Sequence, residues 1–193
     1  MFLAKSRPQS VSAADSTASR TSSSFLVWAS LPDAIAERLR AAGAVLEIGC
    51  GQGLGCLAMA AAFPALAITG HDADAVAIER AQALARSAGF EQRVRFAVSD
   101  SLRLPRAAFD VVVVSGAHDH RGPHRLLNAI RNALTPDGAC LLVEPAPAQA
   151  LREATVHRQA DGALRAAAQK VGFSRLRPLP STDRAVLIFE LQR

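Results

Sequence analysis

The sequence has few cysteines and no long apolar run, and each shortage argues against a class of protein. The three cysteines are Cys50, Cys56 and Cys140, an odd number without paired spacing, which argues against a disulfide framework and a zinc knuckle. We expect buried thiols and a cytoplasmic protein. No apolar stretch approaches the ~18 residues that a membrane helix needs. The sequence therefore predicts no membrane span.

Lysine is nearly absent, although the net charge is +5. Lys5 and Lys170 are the two lysines, so arginine supplies almost all of the positive charge. A basic chain can bind nucleic acid, but here the arginines are scattered and form no run of five like charges. The pattern favours a solvated surface over a nucleic-acid interface, with RNA kept as an open alternative.

The amino-terminal region lacks the features of a folded segment. Residues 1–24 are rich in serine and alanine, contain one acidic residue and show no apolar periodicity. They have no apolar core of a secretory signal, and the apolar content is too low to offset the entropy of ordering. We predict a disordered or weakly ordered tail over residues 1–28, with an organelle transit peptide as the alternative, and one domain over residues 29–193.

Apolar segments and helical patterns alternate through the rest of the chain. Five strand patterns alternate with helices, and two consecutive strand patterns, FSRLRPLP and AVLIFELQR, end the sequence. Segments such as VVVV and CLLV are apolar throughout, as expected of strands covered on both faces. TPDG at 135–138 is predicted to be a turn. The order predicts a doubly wound α/β sheet with an antiparallel addition at its end.

Acidic residues follow several predicted strands, at the sheet edge where such folds bind ligands. Asp72 lies 23 residues after Gly49, a spacing typical of a carboxylate that accepts hydrogen bonds from ribose hydroxyls. The alternative is a helix cap, but Asp74 can fill that role equally well. Asp100 with Ser101 could bind an adenine ring, or could belong to a cap or turn.

The stretch VLEIGCGQG at 45–53 is a glycine-rich turn after a strand. Counted from Gly49, the dinucleotide fingerprint fails because Leu54 stands at its third glycine position. Counted from Gly53 it fits, but it then begins four residues late. A phosphate-binding P-loop is excluded because no Gly-Lys-Ser/Thr follows. A carboxylate at Glu47 would repel a pyrophosphate and favour a ligand that carries an ammonium group.

The pattern acid-x-Gly-x-Gly-x-Gly at 47–53 resembles the first motif of the class I S-adenosylmethionine-dependent methyltransferases. The resemblance extends through GHD, VSDS, FDVV and RNALTPDG, which occupy 70–72, 98–101, 109–112 and 131–138. It implies a Rossmann-like, doubly wound sheet of seven strands in the order 3-2-1-4-5-7-6. In that fold strand 7 is antiparallel, and helices cover both faces.

The resemblance also implies a cofactor, S-adenosyl-L-methionine, and roles for individual residues. The glycines of the turn would lie beneath the methionine part, with Glu47 near its amino group and Ser115 at its methionine end. Asp72 would bind the ribose, and Asp100 with Ser101 the adenine. The implied cofactor-binding set is Glu47, Gly49, Cys50, Gly51, Gly53, Asp72, Ala73, Asp100, Ser101 and Ser115.

A general base is needed only if the methyl acceptor must lose a proton. His118, oriented by Asp119, is the candidate, and the alternative is a solvated loop without a catalytic role. A metal site built from His118, His120 and His124 is a weaker idea, and we predict no metal.

The favoured function is methyl transfer from S-adenosylmethionine to a small-molecule acceptor. A protein that keeps the fold and binds the cofactor without turnover is one alternative, and an RNA methyltransferase is another. A nicotinamide oxidoreductase is disfavoured by Glu47 and by the misplaced fingerprint. The sequence does not specify the acceptor or an oligomeric state.

Overall fold

The computed structural model describes residues 33–115, 123–145, 156–179 and 186–193. In these ranges two strands come last, as the sequence predicts, and helices and strands alternate except at one place. The third and fourth strands follow each other without a helix between them, so the predicted strict alternation is wrong there. Among the described residues no helix is long and apolar enough to cross a membrane. The elements are α1 (Asp33–Ala41), β1 (Ala44–Ile48), α2 (Leu54–Ala62), β2 (Ala67–Asp72), α3 (Ala75–Ser87), β3 (Val94–Val98), β4 (Phe109–Ser115), α4 (Pro123–Ala133), β5 (Leu134–Pro145), α5 (Val156–Val171), β6 (Arg175–Leu179) and β7 (Val186–Gln192).

The strands form one seven-stranded sheet in the order β3-β2-β1-β4-β5-β7-β6. The neighbours from β3 to β5 are parallel, whereas β7 is antiparallel to both β5 and β6. The strand order reverses between β1 and β4, where a ligand crevice is expected at the carboxyl ends of the strands. The predicted fold class and strand order are confirmed.

The predicted turn at 135–138 is wrong, because these residues lie inside β5. Leu134 pairs with Phe109 and Ala139 pairs with Val111, so the residues between Leu134 and Ala139 form an irregular bulge in the ladder. A Cβ atom at Gly138 would lie 3.0 Å from the carbonyl oxygen of Thr135, so glycine suits this crowded backbone. The turn-forming residues therefore bend a strand that continues through them.

Two apolar cores lie on the two faces of the sheet. Val111 and Val113 of β4 face one core, which contains residues of α1 and α2, while Val112 and Val114 face the other, which contains residues of α4 and α5. Alternating residues of one strand thus fill both cores, which explains why its sequence is apolar throughout. All three cysteines are buried free thiols, as predicted.

Charged side chains join the first helix to the last two strands at the amino edge of the sheet. Glu190 of β7 is 3% exposed and pairs with Arg38 of α1, whose Nε lies 3.0 Å from Glu190 Oε1. The Nε of Arg177 in β6 pairs with the other carboxyl oxygen. We call Arg38, Arg177 and Glu190 the amino-edge clasp. Its two guanidinium groups compensate the buried carboxylate.

Asp110 holds the start of β1 at the same edge. Its Oδ2 accepts hydrogen bonds from the amides of Gly43 at 2.8 Å and Ala44 at 3.0 Å, and its Oδ1 accepts one from the Thr135 hydroxyl at 3.2 Å. Burial alone would raise the pKa of this carboxyl, but the three hydrogen bonds favour the charged form and hold the pKa below its ordinary value. Asp110 therefore has a structural role, away from the carboxyl edge where ligands bind.

Candidate cofactor site

The glycine turn joins the carboxyl end of β1 to the amino end of α2. Gly49, Gly51 and Gly53 have φ values of +75°, +53° and +78°, a region that side chains other than glycine rarely adopt. The carbonyl oxygen of His71, in β2, accepts hydrogen bonds from the amides of Gly49 at 2.8 Å and Cys50 at 3.1 Å. The turn is thus held against the end of the neighbouring strand.

Close packing beneath the turn leaves no space for Cβ atoms. A Cβ at Gly49 would lie 2.5 Å from the carbonyl oxygen of Ser115, and one at Gly53 would lie 2.5 Å from the ring of Phe96. Gly70 has the same restriction, because a Cβ there would lie 2.6 Å from that ring. The glycines therefore let the turn sit directly on β4 and on the side chain of Phe96.

Asp72 connects the turn to the helix that follows β2. Its Oδ2 accepts a hydrogen bond from the Gly51 amide at 2.8 Å, and its Oδ1 accepts one from the Asp74 amide at 2.9 Å. Asp74 caps α3 by accepting from the amides of Val76 and Ala77. Asp72 does not cap the helix, and because each carboxylate oxygen can accept two hydrogen bonds, it keeps acceptor capacity for a ligand. Ala73, between the two acids, is exposed.

Glu47 lies beneath the turn and is 0% exposed. Its Oε1 accepts a hydrogen bond from the Ser115 hydroxyl, and its Oε2 accepts one from the Cys56 thiol, both at 3.0 Å. Burial raises the pKa of the Glu47 carboxyl to about 7, and these hydrogen bonds only partly oppose the shift, while the charge of Asp72 adds to it. Both carboxyl oxygens thus already have partners within the chain.

The segment after β3 lies beside Asp72. Val98 pairs with Asp72 in the sheet, and the Ser99 amide donates to the Asp72 carbonyl oxygen at 2.9 Å. Asp100 is exposed and accepts a hydrogen bond from the Leu102 amide at 3.1 Å. Ser101 is 2% exposed, with φ at +55°. Asp100 thus forms a local turn, the alternative noted for it, beside Asp72 at the same sheet edge.

The structure brings most of the predicted cofactor residues to one edge of the sheet. Hydrogen bonds connect Ser115 to Glu47, and Gly51 to Asp72, across β4, β1 and β2. His118, the candidate base, lies outside the described residues. Within the described parts of the chain, no group of three His, Cys, Asp or Glu side chains is placed to hold a metal ion.

Three residues of the site were not singled out from the sequence for these roles. Cys56 donates to Glu47, Phe96 packs beneath two glycines, and His71 holds the turn through its carbonyl oxygen. The buried Nδ1 of His71 has no hydrogen-bond partner among the described residues, and burial lowers the pKa of this side chain. The spacing of Cys56 from Glu47 is a weak sequence signal, because it places the thiol in the first turn of α2.

Comparison with known proteins identifies this arrangement. The family model described as a methyltransferase domain matches residues 45–138, from β1 through the bulge of β5. Residues 45–138 thus match the methyltransferase domain family. The sheet order and the antiparallel β7 agree with this family's Rossmann-like fold.

Relatives of the methyltransferase domain differ in what their names say they do. A curated relative, 27-O-demethylrifamycin SV methyltransferase of Amycolatopsis mediterranei (strain S699), is 32% identical over 117 residues, which are 57% of this chain and 43% of the relative. The structure of the S-adenosylmethionine-dependent methyltransferase SibL has a TM-score of 0.71 at 20% identity, covering 93% of this chain and 57% of that one. The [4+2]-cyclase SpnF has a TM-score of 0.61 at 27% identity, covering 76% and 58%. This chain therefore spans about half the length of these relatives.

Proposed function

We propose that this chain binds S-adenosylmethionine on the glycine turn and transfers its methyl group to an oxygen atom of a small-molecule acceptor. The observation that carries the proposal is the acidic surrounding of the turn. Asp72 bonds directly to the turn amide of Gly51, and Glu47 lies beneath it. A carboxylate at Asp72 opposes a pyrophosphate, and the carboxyl group of Glu47 can ionise beside a ligand with positive charge.

The acceptor class is supported by similarity alone. The curated relative is named as a methyltransferase of an O-demethylated rifamycin, a small molecule. In such a reaction the acceptor oxygen attacks the methyl carbon and the sulfonium sulfur leaves as a neutral thioether. Because the sulfonium is a good leaving group, in-line positioning supplies much of the acceleration, and few catalytic side chains are required.

Binding of S-adenosylhomocysteine and of NADH, each measured by calorimetry, tests the cofactor assignment. We expect the purified chain to bind S-adenosylhomocysteine at micromolar concentrations and NADH at least 10-fold more weakly, because NADH carries a pyrophosphate. Equal affinity, or preference for NADH, would contradict the proposal.

Asp72→Asn should weaken binding of S-adenosylhomocysteine about 10-fold to 100-fold, since hydrogen bonds to a charged acceptor contribute about 1.5–3 kcal/mol. Because Asp72 also holds the Gly51 amide, loss of affinity by itself does not establish a ribose contact. The ribose contact is tested with a 2′,3′-dideoxyribose analogue of S-adenosylhomocysteine. The affinities of both proteins for both ligands form a double-mutant cycle. If Asp72 binds the ribose, the wild-type chain discriminates between the two ligands and the variant does so much less. Equal discrimination by both proteins would remove the ribose role.

Binding without methyl transfer is the second candidate function. It is favoured by the similarity to SpnF, which is named as a cyclase although it shares this fold. Production of S-adenosylhomocysteine from S-adenosylmethionine, measured with a set of phenolic and alcoholic acceptors, separates the two candidates. Cofactor binding with no acceptor-dependent product would favour the second.

A further inference from the structure

Two acidic side chains are buried among the described residues, and they differ in how their charge is compensated. Glu190 pairs with two arginines of the amino-edge clasp, whereas no ion pair within the described ranges includes Glu47. The side-chain partners of Glu47 are the Cys56 thiol and the Ser115 hydroxyl, both neutral donors. An ionised Glu47 would therefore be a buried carboxylate without a counter-charge, which is costly.

The other described groups around Glu47 do not supply that counter-charge. Asp72, from β2, is negative and disfavours ionisation. Cys50 and Cys56 are thiols, and burial raises the pKa of Cys56 well above its ordinary value. His71 pairs with Ile48 in the sheet, so its side chain lies on the opposite face from Glu47. Among the described residues, the groups that favour the carboxylate are the thiol of Cys56, the hydroxyl of Ser115 and the backbone of Cys56 at the start of α2, and none of them carries a positive charge.

A cationic ligand on the glycine turn would supply the missing positive charge. Glu47 is two residues before Gly49, and its partner Ser115 contributes the carbonyl oxygen that lies against Gly49. S-adenosylmethionine carries a sulfonium and an ammonium group, and an opposite charge nearby favours the ionised form of an acid. In the buried region under the turn this attraction is only weakly screened.

We propose that Glu47 holds a proton in the free chain near neutral pH and releases it to solvent when S-adenosylmethionine occupies the turn. This inference rests on the proposed function, since it requires a cationic cofactor there. Cofactor affinity would then increase with pH. S-adenosylhomocysteine, which lacks the sulfonium charge, would release fewer protons. As pH rises, the ionisation of Glu47 would increase the preference of the chain for S-adenosylmethionine, the charged methyl donor, over S-adenosylhomocysteine, its product.

Calorimetry at pH 6.5 in two buffers with different ionisation enthalpies measures the protons released on binding. Because the pKa of the free carboxyl is about 7 and a cationic ligand lowers it, we expect release of a measurable fraction of a proton and roughly 5-fold tighter binding of S-adenosylmethionine at pH 8 than at pH 6. Glu47→Gln should remove the proton release and the pH dependence of affinity that Glu47 contributes. The amino group of the cofactor titrates with both proteins, so the difference between them isolates Glu47.

Each outcome bears on a defined claim. Binding with equal proton release in both proteins would overturn the inference and leave the proposed function standing. If the wild-type chain binds neither S-adenosylmethionine nor S-adenosylhomocysteine, both the inference and the proposed function are overturned. If the variant does not fold, difference infrared spectroscopy on the wild-type chain is the test. Addition of S-adenosylmethionine should weaken the band of a buried carboxylic acid, and an unchanged band would overturn the inference.

Discussion

Glu47→Gln should make the free chain more stable at pH 8, by up to about 3 kcal/mol. Burial raises the pKa of this carboxyl from 4.5 to about 7, and each pKa unit corresponds to about 1.4 kcal/mol. A group whose pKa is raised on folding contributes stability that is fully present below the unfolded pKa. That contribution is lost as pH rises through the folded pKa. The amide has no charge to bury and can still bond to Cys56 and Ser115.

Urea unfolding of the ligand-free proteins at pH 5, 6, 7 and 8 measures this effect. The free-energy difference between variant and wild type should grow with pH and level off above about pH 7, while other titrating groups cancel in the difference. Glu79→Gln, at an exposed position of α3, is the matched control and should give a difference near zero throughout. A constant difference for Glu47→Gln would contradict the assigned ionisation.

Gly49→Ala should destabilise the chain by about 4 kcal/mol and abolish binding of S-adenosylhomocysteine. The positive φ of +75° costs about 1–2 kcal/mol for a residue with a Cβ atom. The new Cβ would also lie 2.5 Å from the backbone carbonyl oxygen of Ser115, and overpacking of this kind costs about 1–3 kcal/mol. Because β4 is central in the sheet, the turn must move instead.

Gly89→Ala is the matched control, because Gly89 has nearly the same φ, +72°, but no atom of the described residues lies within 4 Å of the added Cβ. It should cost only the backbone strain of about 1–2 kcal/mol and leave cofactor binding unchanged. Chemical denaturation and ligand calorimetry on both variants check the comparison. Equal losses of stability would show that the contact with Ser115 is not what requires glycine in the turn.

The fold was predictable because its pattern is local. The apolar segments and helix signals that predict the strands and helices lie next to one another in the sequence. The strand order came from the resemblance of the motifs to a known family. The bulge between Leu134 and Ala139 was not predictable, since the same turn-forming residues can end a strand or bend it. Pairing with Phe109 and Val111 on β4 decides between the two, and pairing is a tertiary property.

The candidate site was predictable in position but not in its hydrogen bonding. An acid after a strand, such as Asp72, can be placed at the carboxyl edge from the order of the elements alone. The hydrogen bond between Asp72 and Gly51 depends on how the strands pack, and so do the bonds from Cys56 and Ser115 to Glu47. This packing involves three strands and a helix that are separate in the sequence. The burial that changes the ionisation of Glu47 was likewise invisible in the sequence.

The amino-edge clasp can form only late in the synthesis of the domain. Arg38 lies in the first described helix and Glu190 in the last strand, so nearly the whole domain is synthesised between them. Since β7 also separates β5 from β6, the sheet itself stays incomplete until this strand leaves the ribosome. The apolar face of α1 can pack on earlier strands, but its ion pair and the complete sheet can form only after β7 has been translated.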